Sequence, residues 1–398
     1  MKELPYDKTS KKSIEKYALN LKSKTFKDVI INDPNIDNGE KAIWIEYYNN
    51  PRNRGNLGNL IEKHYFFYDN NSSPEPDFNE AGVELKVTPY LIRNNGNYRA
   101  KERLVLSSIN YDKDYKEETF LDSHVYRKCA LMLLVYYLYE PTKERIDYIM
   151  NYIKLFEFPE EDLEIIKNDY IKIINKIKSG KAEEISESDT NYLAACTKGA
   201  NSSDTTSQPF SDVKAMKRAF CLKNSYMTYV LNHYIAGEQS DNSIIKDINS
   251  IKENTFEQIL EQIVSRYVGK SDKELCELFG RDYNNNKAQW NDLACKILGI
   301  RDEHADEFVK ANIRVKTIRV EENNSIKENM SFSPFKFMEL VNQDFENSEL
   351  HKFFEETKLF FFIWKKDGDV YRVKSCQLWS MPSNDLEVVV RNEWEQYK

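Results

Sequence analysis

Two stretches of the chain, 230 residues apart, follow the same strand pattern. The stretch "GVELKVTPY" at 82–90 aligns with "NIRVKTIRV" at 312–320, and the same offset places "LFFFIWKK" at 359–366 on the apolar run that begins at Cys129. Further along, "MPSNDLEVVV" at 381–390 matches "FPEEDLEIIK" at 158–167. Because 398 residues suffice for two domains of ordinary size, the repeat predicts a duplicated domain.

The segment "AGEQSDNS" at 236–243 is the best candidate for a linker, so the predicted domains are 1–235 and 244–398. The chain has a net charge of -8, and the global basic signal of many nucleic-acid-binding proteins is absent. The two parts differ, however, because residues 1–235 carry 34 basic and 35 acidic side chains, while the remainder carries 23 and 30. The first domain is therefore the better candidate for contact with a polyanion.

The six cysteines are far apart, with no CxxC pair and no histidine at zinc-finger spacing, which is typical of reduced thiols in a cytosolic protein. The N-terminus lacks the apolar core of a signal peptide. The longest apolar run, "CALMLLVYYLY" at 129–139, is too short to span a bilayer and suits a buried central strand. We therefore expect a soluble cytoplasmic protein without a membrane segment.

The stretch "PEPDFNEAGVELKVTPY" at 74–90 predicts a loop followed by a strand. In a strand Glu84 and Lys86 project from one face, and Asp77 comes from the loop before it. Two carboxylates can share a hard cation such as Mg²⁺, and an ammonium beside them can orient or deprotonate a water. Metal-assisted phosphodiester hydrolysis needs this set, and Glu62, on the predicted helix "GNLGNLIEKHYFFY" at 55–68, is a plausible fourth member.

A simpler interpretation of Glu84 and Lys86 is a surface ion pair on a solvated sheet face, since an acid and an E-x-K pattern occur by chance in many charged proteins. The surroundings favour a site. Asp77 lies in "PEPD" after a loop, the E-x-K pattern lies on an apolar strand, and a helix carrying Glu62 precedes both.

Residues 198–223 form a basic segment in and beyond a polar loop, and it precedes a predicted helix from Asn224 to Tyr234. Its basic residues outnumber Asp204 and Asp212, and they are Lys198, Lys214, Lys217, Arg218 and Lys223. Such side chains neutralise phosphates, while Asn and Lys in a polar loop can reach base edges in the major groove. The alternative is that Lys214, Lys217 and Arg218 form only a solvated face near the start of a helix.

Five separated blocks carry a family resemblance: "GNLGNLIEKHYF", "PDFNEAGVELKVTPY", "KERLVLSSINY", "YLAACTKGAN" and "KRAFCLKNSYMT". In this order they closely resemble the MutH-related, GATC-specific type II restriction endonucleases. The resemblance covers essentially the whole chain. It implies an α/β fold of the restriction-endonuclease-like, PD-(D/E)xK type, with the second copy degenerate, and cleavage of double-stranded DNA at GATC with Mg²⁺.

The resemblance also implies roles for individual residues. Asp77, Glu84 and Lys86 match the catalytic triad of the family, and Glu62 matches its helix acid. The implied DNA contacts lie before that helix and in the basic segment, at Arg54, Gly55, Lys198, Asn201 and Lys223. The chain differs from mismatch-repair MutH by having Cys196 and Cys221 where that protein carries Arg and Tyr, so its base contacts are not carried over residue for residue.

The second copy lacks the metal-binding residues. At the repeat offset Glu84 corresponds to Arg314 and Lys86 to Lys316, while Asp77 falls on Glu307 and Glu62 falls near Cys295. An Arg side chain cannot ligate Mg²⁺, so we expect no cleavage by the second copy. The resemblance implies an effector role instead, in which this domain binds a second DNA site and activates the first domain allosterically.

The sequence thus predicts a type II restriction endonuclease that cuts double-stranded DNA at GATC and works alongside a GATC methyltransferase, as a monomer that dimerises or loops on DNA. One alternative is a MutH-like enzyme that nicks GATC in mismatch repair, which the second domain disfavours. Another is a non-catalytic DNA-binding regulator. The intact Asp77, Glu84 and Lys86 argue against this last interpretation.

We expect the second domain to be incomplete, because no counterpart of residues 191–233 follows "MPSNDLE" in it. DNA binding by that domain should then be weakened, and cleavage should depend little on two-site looping. Rates on otherwise identical plasmids with one and with two GATC sites test this expectation. A strong preference for the two-site plasmid would contradict it.

Overall fold

The computed structural model describes residues 4–52, 57–68, 75–199, 204–284, 286–326, 328–332 and 334–398, and the fold is mixed α/β as predicted. The chain forms two compact units that alternate along the sequence. The first comprises Met1–Ser108, Lys116–Pro159 and Phe220–Gln239, and the second comprises Ile109–Tyr115, Glu160–Ala219 and Ser240–Lys398. These units differ from the continuous ranges 1–235 and 244–398, and the domain boundaries stay a prediction.

The α-helices, in chain order, are α1 Lys11–Ala18, α2 Phe26–Ile31, α3 Asn38–Asn49, α4 Leu57–His64, α5 His124–Cys129, α6 Glu160–Lys178, α7 Asn224–Tyr229, α8 Ile248–Glu253, α9 Phe256–Ser265, α10 Asp272–Leu278, α11 Lys287–Leu298, α12 Asp306–Ala311, α13 Phe337–Leu340, α14 Glu349–Glu356 and α15 Arg391–Tyr397. A π-helical turn, Val230–Ile235, extends α7, and another, Asp385–Val390, precedes α15. Within the described ranges, no helix is both long enough and apolar enough to cross a membrane.

The strands are β1 Glu84–Ile92, β2 Tyr98–Ala100, β3 Leu104–Ser108, β4 Met132–Leu138, β5 Ile149–Phe156, β6 Leu193–Thr197, β7 Thr205–Gln208, β8 Ser211–Met216, β9 Arg218–Leu222, β10 Ile313–Val320, β11 Lys358–Asp367 and β12 Val370–Trp379.

The first unit contains a four-stranded sheet in the order β2-β1-β4-β5. Strands β1 and β4 pair in parallel from Glu84 opposite Met132 to Tyr90 opposite Leu138, and the other pairs are antiparallel. The first five residues of β4 are all buried, as expected for a central strand covered on both faces. The predicted central strand is therefore present, but it begins at Met132, because Ser123 caps a helix that ends at Cys129.

Helix α4 packs against one face of this sheet. Its Leu60 and Ile61 lie in the same hydrophobic core as Leu85 of β1 and Leu133 of β4, and all four side chains are buried. Alternation along β1 directs Leu85 into this core and leaves Glu84 and Lys86 on the opposite side of the strand. The packing therefore places one end of α4 next to the start of β1.

The second unit contains a three-stranded sheet in the order β10-β11-β12. Strand β10 is parallel to β11, with Arg314 opposite Leu359, and β11 is antiparallel to β12. The strands β1, β4 and β5 of the first unit have the same order and the same directions.

Candidate active site

A short antiparallel bridge between Phe78 and Val83 brings the loop carrying Asp77 to the start of β1. The backbone N–H of Phe78 donates to the carbonyl oxygen of Val83 at 2.9 Å, and the N–H of Val83 donates back at 3.2 Å. Gly82 allows the chain to close this turn because it adopts a φ of +66°, which a residue with a Cβ rarely takes. The residue before the bridge, Asp77, therefore lies beside the residue after it, Glu84.

Asp77 and Glu84 are held to each other by backbone donors. The N–H of Asp77 donates to Oε2 of Glu84 at 3.2 Å, and Oδ2 of Asp77 accepts from the N–H of Leu85 at 2.9 Å. Glu84 is only 3 % exposed. Two carboxylates, one from a loop and one from a strand, thus converge at the start of β1.

Two lysines contact the other oxygen of Glu84. The Nζ of Lys86 lies 2.9 Å from Oε1, and the Nζ of Lys128 lies 3.6 Å from the same atom. Lys128 was absent from the predicted site. The available signal was its position just before the apolar run that forms β4, because parallel strands that start in register bring the residues before them to one edge.

Glu62 completes the cluster from α4. Burial raises its pKa to about 7, with the negative charges of Asp77 and Glu84 contributing next, while Lys86 and Lys128 act in the opposite direction. The charges of Asp77, Glu84, Lys86 and Lys128 therefore all act on the carboxyl group of Glu62. The structure therefore brings Glu62, Asp77, Glu84 and Lys86 together.

Two other side chains surround this cluster. On the same helix as Glu62, the Nδ1 of His64 lies 2.8 Å from Oδ2 of Asp33, and both residues are buried, which anchors α4 to the loop between α2 and α3. Tyr68 follows α4, and its hydroxyl is buried without a hydrogen-bond partner among the described residues. Burial raises the pKa of Tyr68 far above its ordinary range, and the charges of Asp77 and Glu62 raise it further.

The arrangement suits a divalent cation. Burial raises the pKa of Asp77 to about 6, and the charge of Glu84 raises it in addition, against the opposing effect of Lys86 and Lys128. The site has three carboxyl groups and two ammonium groups, so ionisation of all three carboxyl groups leaves an excess of negative charge. A hard cation prefers oxygen ligands and would offset this repulsion, and Asp77, Glu84 and Glu62 supply such ligands.

The predicted DNA contacts remain predictions. Arg54, Gly55 and Asn201 lie outside the described residues. Lys198 is exposed, directly after β6, and its backbone N–H donates to the carbonyl oxygen of Lys217 at 2.9 Å. Lys223 is 1 % exposed and is the residue before α7.

The alternative interpretation of the basic segment was wrong for one residue. That interpretation places Arg218 on a solvated face near the start of a helix. In the structure Arg218 is the first residue of strand β9 and is only 4 % exposed. Its Nη1 donates to the carbonyl oxygen of Ala195 at 2.8 Å. Arg218 therefore has a structural role, because its guanidinium donates a hydrogen bond to a buried backbone carbonyl of β6.

The positions corresponding to the site in the second unit have other surroundings. Arg314 is exposed, and Lys316 donates from Nζ to the carbonyl oxygen of Ser331 at 2.9 Å. Glu307 is buried and accepts hydrogen bonds from the backbone N–H groups of Ile244 and Ile245. Its carboxylate therefore holds a loop in place.

Comparison with known proteins gives the family. The chain is 37 % identical over 361 residues to the type II restriction enzyme Sau3AI of Staphylococcus aureus, an alignment that covers 86 % of this chain and 73 % of that enzyme. This chain belongs to the Sau3AI family of type II restriction enzymes. The model of the DNA mismatch repair enzyme MutH matches residues 66–169, which hold Asp77, Glu84, Lys86 and Lys128. That match confirms the restriction-endonuclease-like fold predicted for this member of the Sau3AI family.

The chain is also similar to a mismatch-repair protein. It is 28 % identical over 188 residues to the DNA mismatch repair protein MutH of Vibrio parahaemolyticus serotype O3:K6 (strain RIMD 2210633). This alignment covers 46 % of the chain and 80 % of that protein. The predicted resemblance to MutH-related restriction enzymes is thus confirmed.

Without metal, the contribution of Glu62 to the free energy of unfolding should fall as the pH rises from 4.5 to about 7. The folded chain keeps a proton on Glu62, whose pKa is raised from 4.5 to about 7, over a window in which the unfolded chain has lost it. We expect Glu62→Gln to flatten the upper part of this dependence, where Asp77, with a pKa of about 6, is already ionised. Urea unfolding in EDTA across the window measures the slope.

The exposed Glu80 provides the control for this measurement, since Glu80→Gln makes the same change outside the cluster and should leave the slope as in the wild type. Excess divalent cation should also flatten the slope, because it binds the ionised carboxylates. An unchanged slope in Glu62→Gln would contradict the assigned protonation.

Replacing Lys128 with Met should slow DNA cleavage about a hundredfold, because one preorganised positive donor next to the reacting group is lost. The variant should fold normally, since the Nζ of Lys128 is partly exposed and contacts Glu84 alongside Lys86. Single-turnover cleavage measures the rate, and a thermal melt checks the fold. Lys113→Met, at an exposed lysine, is the matched control, and a wild-type rate in Lys128→Met would exclude the role.

Proposed function

We propose that this chain is a divalent-metal-dependent type II restriction endonuclease that hydrolyses double-stranded DNA at GATC, with Mg²⁺ as its natural metal. Membership of the Sau3AI family supports the enzyme class. The observation that carries the proposal is the convergence of Asp77, Glu84 and Lys86 at the start of β1, with the N–H of Asp77 and the Nζ of Lys86 both on Glu84. The GATC sequence rests on the resemblance of the five sequence blocks.

In the proposed mechanism the carboxylates of Asp77 and Glu84 would hold the cation, and Glu62 would support it from α4. When bound there, the cation would supply Lewis-acid stabilisation of charge on the phosphate. Lys86 orients the attacking water from the side of Glu84 and stabilises charge as the bond to phosphorus forms. Lys128 provides a second positive group on the same oxygen of Glu84, so it stabilises the same developing charge.

We also propose that the second unit contains a degenerate copy of the site-bearing sheet. The parallel and antiparallel order shared by β10-β11-β12 and β1-β4-β5 supports this proposal. Arg314 and the hydrogen-bonded Glu307 cannot form a metal site like that of Glu84 and Asp77. The copy is then a non-catalytic effector domain.

Several partners follow from the same proposal. A restriction enzyme needs a methyltransferase that protects the host's own GATC sites, and such an enzyme would act in the cytoplasm on double-stranded DNA. Dimerisation on DNA is the proposed route by which one catalytic site per chain cuts two strands.

A nicking enzyme of mismatch repair is the second candidate, and the match of residues 66–169 to MutH favours it. The two functions differ in what they leave on a plasmid. A restriction enzyme linearises the plasmid, whereas a nicking enzyme leaves an open circle.

Wild-type protein with Mg²⁺ should linearise a plasmid carrying unmethylated GATC sites. Glu84→Gln should lower the rate of this cleavage at least a hundredfold, because Glu84 is both a cation ligand and the partner of the two lysines, and the substitution removes its charge. Glu80→Gln, the same change at an exposed site, should cut normally. Agarose gels of methylated and unmethylated plasmids separate the outcomes. Open circles alone would support the nicking enzyme, and no cleavage would leave a non-catalytic DNA-binding protein.

A further inference from the structure

A buried polar network lies in the second unit, away from any role assigned above. Asp169 sits on the apolar face of α6, between buried Ile166 and Ile173, and is fully buried. Its two carboxylate oxygens accept three backbone N–H groups, from Asn191 at 2.7 Å, Tyr192 at 2.6 Å and Leu193 at 3.1 Å. This single side chain therefore fixes the backbone at the start of β6.

The side chain of Asn191 is held from a different part of the chain. Lys358 is the first residue of β11 and is 3 % exposed, and its Nζ donates to Oδ1 of Asn191 at 2.9 Å. The same Nζ lies 3.4 Å from Oε1 of Glu257, at the start of α9. Asn191 is thus anchored through its backbone by Asp169 and through its side chain by Lys358.

Glu257 keeps Lys358 in this place. Burial alone would raise the pKa of Glu257, but the positive charges of Lys358 and Lys172 lower it to about 2. The carboxylate is therefore ionised at all working pH values, and it binds Lys172 of α6 as well as Lys358. An ionised, partly buried carboxylate of this kind holds the buried ammonium group of Lys358, since separating the pair would leave that ammonium uncompensated.

Strand β6 connects this anchor to the predicted DNA contact. The strand runs from Leu193 to Thr197 with its first four residues buried, and the exposed Lys198 follows immediately. The carbonyl oxygen of Ala195 accepts from Arg218, and the backbone of Lys198 donates to Lys217. A strand held at both ends and in the middle moves as one piece, so a shift at Asn191 displaces Lys198.

We propose that Lys358 is a positioning residue for DNA recognition: through Asn191 it sets the position of β6 and hence of Lys198. This inference rests on the proposed function, in which Lys198 contacts DNA. It makes sequence selection depend on β11, a strand of the C-terminal sheet. A side chain of the predicted effector region thereby helps to position Lys198 of the basic segment.

The test separates positioning from stability with a charge-neutral pair of substitutions. The double variant Lys358→Met/Glu257→Gln removes both charges of the buried pair and the hydrogen bond to Asn191. Asn191→Ala removes only the side-chain acceptor and keeps the backbone N–H groups that bind Asp169. Lys172→Met is the matched control, because it removes the other ammonium from Glu257 without a contact to Asn191.

Affinity is measured for a duplex containing GATC and for one with a single base changed, with Ca²⁺ replacing Mg²⁺ so that no cleavage occurs. We expect the double variant and Asn191→Ala to lower the ratio of the two affinities on the order of tenfold, at a melting temperature close to that of wild type. Lys172→Met should keep the wild-type ratio. A loss of stability alone would not change the ratio of two affinities measured on the folded protein.

A folded double variant or Asn191→Ala variant with the wild-type ratio would overturn the proposal, as would an equal loss in Lys172→Met. Lys198→Ala, measured in parallel, distinguishes this failure from failure of the proposed DNA contact. If Lys198→Ala binds both duplexes like wild type, the contact is excluded and the inference falls with it. If Lys198→Ala weakens binding while the Lys358 variant does not, only the inference falls.

Discussion

The mutual repulsion of three carboxylates, one buried and two partly buried, is the constraint on which the site of the first unit depends. Glu62, Asp77 and Glu84 come from a helix, a loop and a strand, and each raises the cost of ionising another. The fold holds them together by other means, through the Phe78–Val83 bridge at the loop and the packing of α4 on the sheet. Two lysines offset part of the charge at Glu84, and the remaining negative charge is what suits the cluster to a divalent cation.

The second unit buries charge in the opposite way. Asp169 accepts hydrogen bonds from three backbone N–H groups, and Glu257 pairs with two lysines, so groups of the protein itself compensate both carboxylates. The two clusters use the same residue types with different results. Unbalanced charge at the edge of a sheet favours a ligand, whereas balanced charge in a core fixes the relative positions of α6, α9 and β11.

Some of the site could be predicted because it depends on local geometry. Glu84 and Lys86 share a face in any strand that contains both, and Asp77 is separated from them by a turn short enough to keep it near. Lys128 could not be found in this way, because its contact with Glu84 arises from the parallel register of β1 and β4 across more than forty residues. Asp169 did leave a signal, since it occupies a position of α6 where the helical pattern requires an apolar side chain.

The amino-acid sequence by itself determined the strand that carries the site and the carboxylates available for a metal, because these follow from side-chain periodicity and residue chemistry. Only the tertiary structure decided which distant groups meet. It brought Lys128 to Glu84, and it joined α6 and β6 to β11 within one unit through Lys358. Such contacts depend on strand register and on the pairing of buried charges, which no local pattern in the chain specifies.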